Sequence, residues 1–511
     1  MKNIKYIALS LLISVMFSCE NDELDELRNK GNQPEVVLPE LTSGTANFST
    51  YVALGPSFTA GFTDGGLFIA SQENSFPNII SKQFANAGGG LFTQPLMSDN
   101  FGGLALNGSR IANPRLVFGG AGPAPLESII GPVTVGTDIL LNNPTGPFNN
   151  LGVPGAKSFD LVAPGYGNIS NLPLPNANPY AVRLTGNTPD ATLLELAVAQ
   201  NPTFFTLGVI GGNDVLGYAT SGGDGSNPIT DTATFDAAMT ELIDGLVATG
   251  AKGALGNTPD LSNLPYFTTV PHNPIPLDAA TAGFLNSVAA YGAYNAGIVQ
   301  AFAFLVATTP LTQEMADAEI AKRTITFAAG AGNPVVLFDE YLTDLTALNP
   351  ALVSIRQATS ADLLILPSIA FIGTEAVPGN PQTVNGVAIP LADSWVLTPE
   401  EQQEVAIATA AHNATLQSLA DANGLALVDL NAVLDEASSA GIIFDNFNLN
   451  TDLVFGGLVS LDGIHLTARG YAYMANKYLE KIDEVYGSNF IASGNVAKAG
   501  DYPTNYSPLL Q

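Results

Sequence analysis

The sequence predicts an α/β fold whose mostly parallel sheet is covered by helices on both faces. Short apolar runs, each followed by a glycine or polar turn, alternate along the chain with longer segments of helical period. This alternation is typical of α/β domains, in which crossover helices cover both faces of a parallel sheet. Functional groups of such folds lie at the carboxyl ends of the strands, so we expect the functional residues in the turns after the apolar runs.

Four apolar runs predict the strands of this sheet. They are residues 49–55, 203–210, 253–257 and 425–430. Each run is short and apolar and ends in a turn, as expected for strands that are buried on both faces.

Six segments predict helices. They extend from Ser75 to Gly88, from Thr188 to before Pro202, from Phe235 to Gly250, from Thr398 through His412, over a segment that ends before Gly424, and from Thr467 to Gly487. Several begin with an N-cap Ser or Thr followed by proline, or by glutamate three residues later. Glycine follows most of them, as is usual after the last helical turn.

Composition and motif spacing favour one large domain. The chain has 511 residues, of which 46% are hydrophobic and 12% charged, with 51 glycines and 34 prolines. The candidate motifs extend from Ser57 to His465, so we expect a domain at 47–490 with insertions near 90–145 and 306–398 and a C-terminal tail at 491–511. The formal net charge of -29 makes nucleic acid and anionic membrane surfaces unfavourable partners.

The N-terminus predicts a secretory signal peptide over residues 1–18. Lysines precede an apolar run at 6–17 that is too short to span a bilayer. Cys19, the single cysteine of the chain, follows Ser18 and resembles the acylated cysteine of a bacterial lipoprotein. The protein would then contact a membrane only through its N-terminal lipid. The alternative is an ordinary signal peptide that is discarded with Cys19, which leaves a freely secreted protein.

Residues 19–46 predict an acidic, flexible tether. Their first part, Glu-Asn-Asp-Glu-Leu-Asp-Glu at 20–26, resembles the export signals of surface lipoproteins in Bacteroidetes-type bacteria. That resemblance implies an outer-membrane lipoprotein of the bacterial cell envelope, with the folded domain exposed at the surface. A plain solvated spacer is the alternative.

The scarcity of histidine and cysteine limits the chemistry. The histidines are His272, His412 and His465, so the sequence offers neither a histidine-rich site nor a zinc site, and it has no regular Asp-spaced calcium loop. Asp462 lies three residues before His465, a spacing at which a carboxylate can reach one ring nitrogen and leave the other for a nucleophile. A serine nucleophile with one histidine base is the simplest hydrolytic site of this kind. An ordinary surface pair is the alternative.

Ser57 is the candidate nucleophile. It follows the first predicted strand in Gly55-Pro56-Ser57-Phe58-Thr59, where Gly55 permits a tight turn. Thr59 excludes the Gly-x-Ser-x-Gly elbow of α/β-hydrolases. A serine that merely caps a turn is the alternative.

Four short motifs resemble, in the same order, the sequence blocks of SGNH (GDSL-like) hydrolases. They are Tyr51–Gly61 for block I, Asn150–Gly155 for block II, Gly211–Asp214 for block III and Asp462–Thr467 for block V. The resemblance implies a three-layer α/β/α flavodoxin-like fold with large insertions. It also implies an esterase or lipase-like acylhydrolase that uses no cofactor or metal and takes a small-molecule, glycan or lipid ester.

The resemblance assigns roles to individual residues. Ser57 is the nucleophile, His465 the base and Asp462 the residue that orients His465. The backbone N–H groups of Ser57 and Gly155 and the side-chain amide of Asn213 form the oxyanion hole, and a side chain at Gly155 is expected to block the oxyanion.

One departure from the family leaves a second function open. Pro56 stands where these hydrolases have Asp, and it supplies neither a carboxylate nor an N–H. The alternative is a non-catalytic surface lipoprotein that binds glycan or lipid on the same scaffold. His272 and His412 are expected to be structural, and Trp395 is expected to pack rather than to line a substrate groove.

Overall fold

A computed structural model describes residues 37–173 and 176–510. The chain divides into two units, one of residues 1–40 with 492–494 and one of residues 41–491 with 495–511. Every helix and strand given below lies in the second unit. The predicted signal peptide, Cys19 and most of the predicted tether lie outside the described residues. Residues 37–46, the described end of that tether, contain neither helix nor strand.

The strands are short. In chain order they are β1 (Tyr51–Gly55), β2 (Leu104–Leu106), β3 (Ser109–Ala112), β4 (Leu116–Phe118), β5 (Pro123–Pro125), β6 (Asn150–Gly152), β7 (Phe204–Leu207), β8 (Lys252–Gly256), β9 (Ile275–Leu277), β10 (Gly330–Asn333), β11 (Val336–Phe338), β12 (Ile355–Gln357), β13 (Leu363–Leu364), β14 (Val396–Leu397), β15 (Ala426–Val428), β16 (Ile442–Phe444) and β17 (Phe447–Leu449).

The α-helices vary more in length. They are α1 (Ser57–Ala60), α2 (Ile69–Glu73), α3 (Phe76–Asn86), α4 (Leu126–Ile130), α5 (Pro179–Thr185), α6 (Leu193–Val198), α7 (Gly212–Thr220), α8 (Thr232–Val247), α9 (Pro265–Thr268), α10 (Ala279–Leu285), α11 (Tyr291–Thr308), α12 (Gln313–Arg323), α13 (Pro399–Asn423), α14 (Leu430–Ser439) and α15 (Ala468–Tyr486). Among the described residues, no helix combines the length and the apolar character that crossing a membrane requires.

Five strands form a parallel central sheet in the order β15-β8-β7-β1-β6. Numbered along the chain, these strands have the order 2-1-3-4-5. The predicted α/β fold with a parallel sheet is therefore confirmed. The other strands pair in two-stranded antiparallel sheets outside it, and β9 to β14 all lie in the long segment between β8 and α13.

Helices pack on both faces of the sheet because side chains alternate along each strand. Tyr51 and Ala53 of β1 join the core on the side of α3 and α15, whereas Val52 and Leu54 join the core on the side of α6 and α8. All five residues of β1 are buried. The strand β1 is thus buried along its whole length, and the buried Thr206 of the neighbouring β7 forms a hydrogen bond with the Tyr51 hydroxyl.

Most predicted elements are confirmed, but three of the four strands end earlier than the apolar runs that predicted them, and the helices predicted from Thr398 and before Gly424 are the single helix α13. The third sheet strand ends at Leu207 rather than at residue 210, because Val209 has a positive φ of 48° that cannot continue a strand. Both Thr398 and Thr467 precede helices as predicted, and Thr398 forms a capping box with Glu401.

The predicted helix start at Thr188 is wrong. The helix begins at Leu193, and its N-cap is Thr192, whose side chain accepts a hydrogen bond from the Glu195 N–H. Glu195 completes a capping box by accepting the Thr192 N–H, so the N-cap lies four residues after the predicted one. The hydroxyl of Thr188 instead donates to the carbonyl of Thr185, at the end of the preceding helix.

Candidate functional site

Ser57, His465 and Asp462 lie in a continuous chain of hydrogen bonds at the carboxyl end of the sheet. His465 Nε2 lies 2.8 Å from Ser57 Oγ, and His465 Nδ1 lies 2.9 Å from Asp462 Oδ2. Ser57 begins α1, directly after β1, while the other two residues lie in the loop that leads into α15. The structure therefore brings together the three side chains that the sequence selected.

The turn between β1 and α1 presents the Ser57 hydroxyl. Gly55 has a φ of 147°, and a Cβ there would lie 2.4 Å from Thr59 Oγ1, so only glycine fits. The carbonyl of Pro56 accepts hydrogen bonds from the N–H groups of Thr59 and Ala60. The turn is thus held by backbone contacts and by the ring of Pro56, without an aspartate at that position.

Asp462 is held by donors on both carboxylate oxygens. Oδ1 accepts from the backbone N–H groups of Ile464 and His465 and from the Ser460 hydroxyl, and Oδ2 accepts from the Gly65 N–H and from His465. Burial alone would raise the pKa of Asp462. The adjacent His465 and these hydrogen bonds outweigh burial and hold that pKa well below its usual range.

This electrostatic setting fixes the tautomer of His465. An ionised carboxylate only accepts hydrogen bonds, so Nδ1 of the neutral ring carries the proton and donates to Asp462. Nε2 is then free to accept the Ser57 O–H. The imidazole lies between the rings of Phe58 and Phe62, with ring centroids 5.3 and 4.8 Å away, and the residue is only 9% exposed.

Asn213 and Gly155 follow the strands on either side of β1. Asn213 lies in the first turn of α7 after β7, and its side-chain amide donates to the Ala156 carbonyl at 2.8 Å. Gly155 follows β6, the other neighbour of β1. The three residues expected to form an oxyanion hole therefore follow three adjacent strands.

Two backbone donors remain available in this region. Within the described part of the chain, neither the Ser57 N–H nor the Gly155 N–H donates a hydrogen bond to another protein group. The Asn213 amide also has a second N–H beyond the one that binds Ala156.

Backbone geometry gives a reason for glycine at position 155 in addition to the expected one. Its φ is 84°, a conformation that side chains disfavour, whereas a Cβ there would meet only Asn178 Nδ2 at an ordinary 3.6 Å. Backbone geometry, rather than crowding by protein atoms, explains the glycine.

An apolar cavity of about 30 Å³ opens beside Ser57. Its lining includes Leu216 of α7, Leu261 and Leu264 of the loop after β8, and Ile464 of the histidine loop. Asn213 also lines the cavity and so faces the same space as Ser57. A volume of this size holds about two water molecules, which suits a small group rather than a long chain.

The sequence did not predict several residues that support the site. The Asp64 N–H donates to Ser460 Oγ, which in turn donates to Asp462, and Asp64 Oδ1 accepts the Leu461 N–H. Burial raises the pKa of Asp64 to about 7, and the charge of Asp462 adds to this. The Asp64-Gly65 pair is a turn signal, but nothing in the sequence relates it to a loop 397 residues later.

Asp214 and Ser158 form a second support that was missed. The buried Asp214 carboxylate accepts both the N–H and the hydroxyl of Ser158, the latter at 2.7 Å. Together with the bond from Asn213 to Ala156, this attaches the Gly155 loop to the start of α7. Asp214 belongs to the third motif, but nothing in the sequence relates it to Ser158.

The remaining histidines and the tryptophan lie apart from Ser57. His412 is fully buried in α13, stacks on Phe235 with ring centroids 4.0 Å apart, and lies 3.1 Å from the Thr230 carbonyl. His272 precedes β9, and its backbone carbonyl accepts the Val335 N–H. Trp395 packs against Phe371 and does not line the cavity beside Ser57.

The low pKa of Asp462 predicts a pH-dependent contribution to stability. Its pKa in the unfolded chain is about 3.9, and its folded value is lower, so its interactions stabilise the protein above that pH and are lost as the pH falls through the folded pKa. Asp462→Asn should therefore lower the urea midpoint of unfolding at about pH 6 and have a smaller effect at about pH 3. The exposed Asp435→Asn is the control, with little expected effect at either pH. An equal loss at both pH values for Asp462→Asn would contradict the account.

No relative adds to this description of the site. The chain matches no protein-family model, no curated protein and no solved structure. The hydrogen-bonded chain, the adjacent donors and the apolar cavity are therefore the observations from which a function is inferred.

Proposed function

We propose that this protein is a serine ester hydrolase of the SGNH (GDSL-like) type, with Ser57 as its nucleophile. The observation that carries the proposal is the hydrogen-bonded chain from Ser57 Oγ through His465 to Asp462. Serine alone is a weak nucleophile at neutral pH, and a base within hydrogen-bonding distance, oriented by a third group, is what activates it.

The geometry supports a two-step reaction. Ser57 Oγ attacks the ester carbonyl while His465 Nε2 takes the hydroxyl proton, and Asp462 stabilises the imidazolium that results. The C–O bond to the alcohol then breaks, and His465 returns the proton to the leaving alcohol. Water attacks the acyl-serine with His465 again as base, which releases the carboxylic acid and regenerates Ser57.

Three donors suit the oxyanion that forms at each step. They are the backbone N–H groups of Ser57 and Gly155 and the second N–H of the Asn213 amide. Such donors act on charge that is present only in the transition state, and losing one typically costs about 10²- to 10³-fold in rate. The contacts of Asp214 and Ser158 keep two of these groups in register.

The order of the central strands also supports the proposed three-layer flavodoxin-like fold. Doubly wound sheets with the order 2-1-3-4-5 bind ligands where the chain changes its direction of strand addition. In this protein that point lies between β1 and β7. Ser57 follows the first of these strands and Asn213 follows the second, so the proposed site occupies the expected crevice.

We further propose that the acyl group of the substrate is short. The cavity beside Ser57 has an apolar lining and room for only a few heavy atoms. Small-molecule esters, acylated glycans and acylated lipids are all compatible with this limit when the acyl group is short, because the alcohol portion would extend away from the cavity. Attachment to a bacterial outer membrane through Cys19, with exposure at the surface, belongs to the same proposal and rests on the sequence resemblance.

The competing function is a surface lipoprotein that binds glycan or lipid without turnover. Two features favour it, Pro56 in place of the aspartate and the large insertions. With Pro56 at this position, the Pro56 carbonyl still accepts two hydrogen bonds in the turn, and Ser57 Oγ still lies within hydrogen-bonding distance of His465. These contacts favour hydrolysis over binding without turnover.

A panel of nitrophenyl esters should show turnover that depends on Ser57 and on acyl length. We expect kcat/KM to be highest for acetyl or butyryl esters, lower for octanoyl, and reduced by about 10³-fold or more in Ser57→Ala. Acetylated sugars belong in the same panel. Ser438→Ala, in an exposed turn of α14, is the control and should behave as the native protein. Equal turnover by Ser57→Ala would exclude this nucleophile, and no turnover by the native protein would favour the binding lipoprotein.

The oxyanion role of Asn213 predicts a particular kinetic signature. Asn213→Ala should lower kcat by about 10²-fold while KM changes little, because the lost interaction forms only in the transition state. Asn423→Ala, near the end of α13, is the matched control. A change confined to KM would instead show that Asn213 binds the ground state of the substrate.

A further inference from the structure

A second group of carboxylates lies outside the lining of the cavity beside Ser57. Glu340, Asp393 and Glu401 each bring one carboxylate oxygen to within 4.8 Å of the other two. Glu340 follows β11, Asp393 begins a 3₁₀ helix at Asp393–Trp395, and Glu401 lies in the first turn of α13. Three separate segments of the chain therefore place their carboxylate groups next to one another.

The buried member of the group, Glu401, has one oxygen without a partner. Its Oε2 accepts the N–H and the hydroxyl of Thr398 at 2.6 and 2.8 Å. Its Oε1 is buried and has no hydrogen-bond partner, and the residue as a whole is fully buried. Asp393 Oδ1 is likewise buried and has no hydrogen-bond partner. Buried, unpaired carboxylate oxygens are costly unless a positive group compensates them.

Nearby basic side chains do not supply the positive charge that would compensate these oxygens. No ion pair between described residues includes Glu340, Asp393 or Glu401. Arg356 binds Asp339 and Asp362, although Asp339 adjoins Glu340 in sequence. The Nζ atom of Lys322 lies 3.8 Å from Oε1 of Glu400, the residue before Glu401.

Two glycines after α7 allow the close approach of these segments. A Cβ on Gly223 would lie 2.2 Å from Glu401 Oε1, and a Cβ on Gly222 would lie 2.2 Å from the Asp393 carbonyl oxygen. The chain at Gly223 also has a φ of 75°, which glycine adopts without strain. The unpartnered oxygen therefore lies directly against the segment that follows α7.

We propose that Glu340, Asp393 and Glu401 bind one calcium ion. Calcium–oxygen distances are about 2.3–2.6 Å, so two ligands of one ion lie at most about 5 Å apart, as these oxygens do. Carboxylates suit hard cations, and the group has no histidine or cysteine that would favour zinc. Calcium loses its water more readily than magnesium, which suits a group with a fully buried ligand.

By binding residues of both, the ion would link the long segment between β8 and α13 to the core of the domain. Glu340 and Asp393 belong to that segment, whereas Glu401 lies on α13, which contributes to both faces of the core. Gly222 and Gly223 follow α7, the helix whose first turn contains Asn213. Calcium is thus expected to stabilise the folded protein, an effect independent of the proposed ester hydrolysis.

Calcium titration of the whole protein after chelator treatment tests the site. By calorimetry we expect one ion per chain with a Kd of about 10⁻⁴ M or tighter, and binding of magnesium at least about tenfold weaker. The melting temperature should rise by a few degrees at saturating calcium. Because Glu340 is exposed, Glu340→Gln should fold normally and bind calcium at least about tenfold more weakly. Glu400→Gln, one residue before Glu401, is the matched control and should bind as the native protein does.

Three results would overturn the proposal. The first is no heat of binding and no calcium-dependent stabilisation in the native protein, which would mean that protons rather than an ion compensate the cluster. Burial, with the neighbouring Glu340 carboxylate, does raise the pKa of both Asp393 and Glu401. The second is equal affinity in Glu340→Gln, and the third is magnesium binding as tight as calcium binding. None of these readouts uses ester turnover, so the two proposals fail or succeed separately.

Discussion

The contact between Ser57 and His465 joins residues 408 positions apart, and it depends on where α15 packs. The Tyr478 hydroxyl on this helix donates to the Leu207 carbonyl at the end of β7, and the Tyr471 hydroxyl donates to the Phe62 carbonyl just past α1. His465 lies three positions before the first residue of this helix, Ala468. Anchoring the helix to the sheet therefore anchors the imidazole over the end of β1.

The same loop is stiffened from within by Asp462. Its carboxylate accepts hydrogen bonds from the backbone N–H groups of Ile464 and His465 in its own loop and of Gly65 in a distant one. In a buried setting such charge-assisted hydrogen bonds are strong, and they hold the carboxylate ionised beside the imidazole. Orientation of His465 and the shape of the loop are thus produced by one group.

Local patterns in the sequence predicted four of the five sheet strands and the principal site residues, because apolar strands, strand-end glycines and the Asp-x-x-His spacing are all short-range features. The missed features depend on contacts between distant segments. The hydroxyl of Ser460 and the carboxylate of Asp64 meet only after folding, and Glu340, Asp393 and Glu401 come from three separate segments. Thr188 and Thr192 are both plausible N-caps, and only the glutamate at 195 distinguishes them. The signal peptide, Cys19 and the division of the chain into domains remain predictions.

The central claim is that Ser57 is an activated nucleophile, and covalent labelling measures this directly. A fluorophosphonate probe added to the folded protein should give one adduct per chain, located on Ser57 by peptide mass spectrometry. His465→Ala should abolish labelling, because the hydroxyl then has no base within 2.8 Å. A native protein that stays unlabelled, or one labelled at a different serine, would contradict the account.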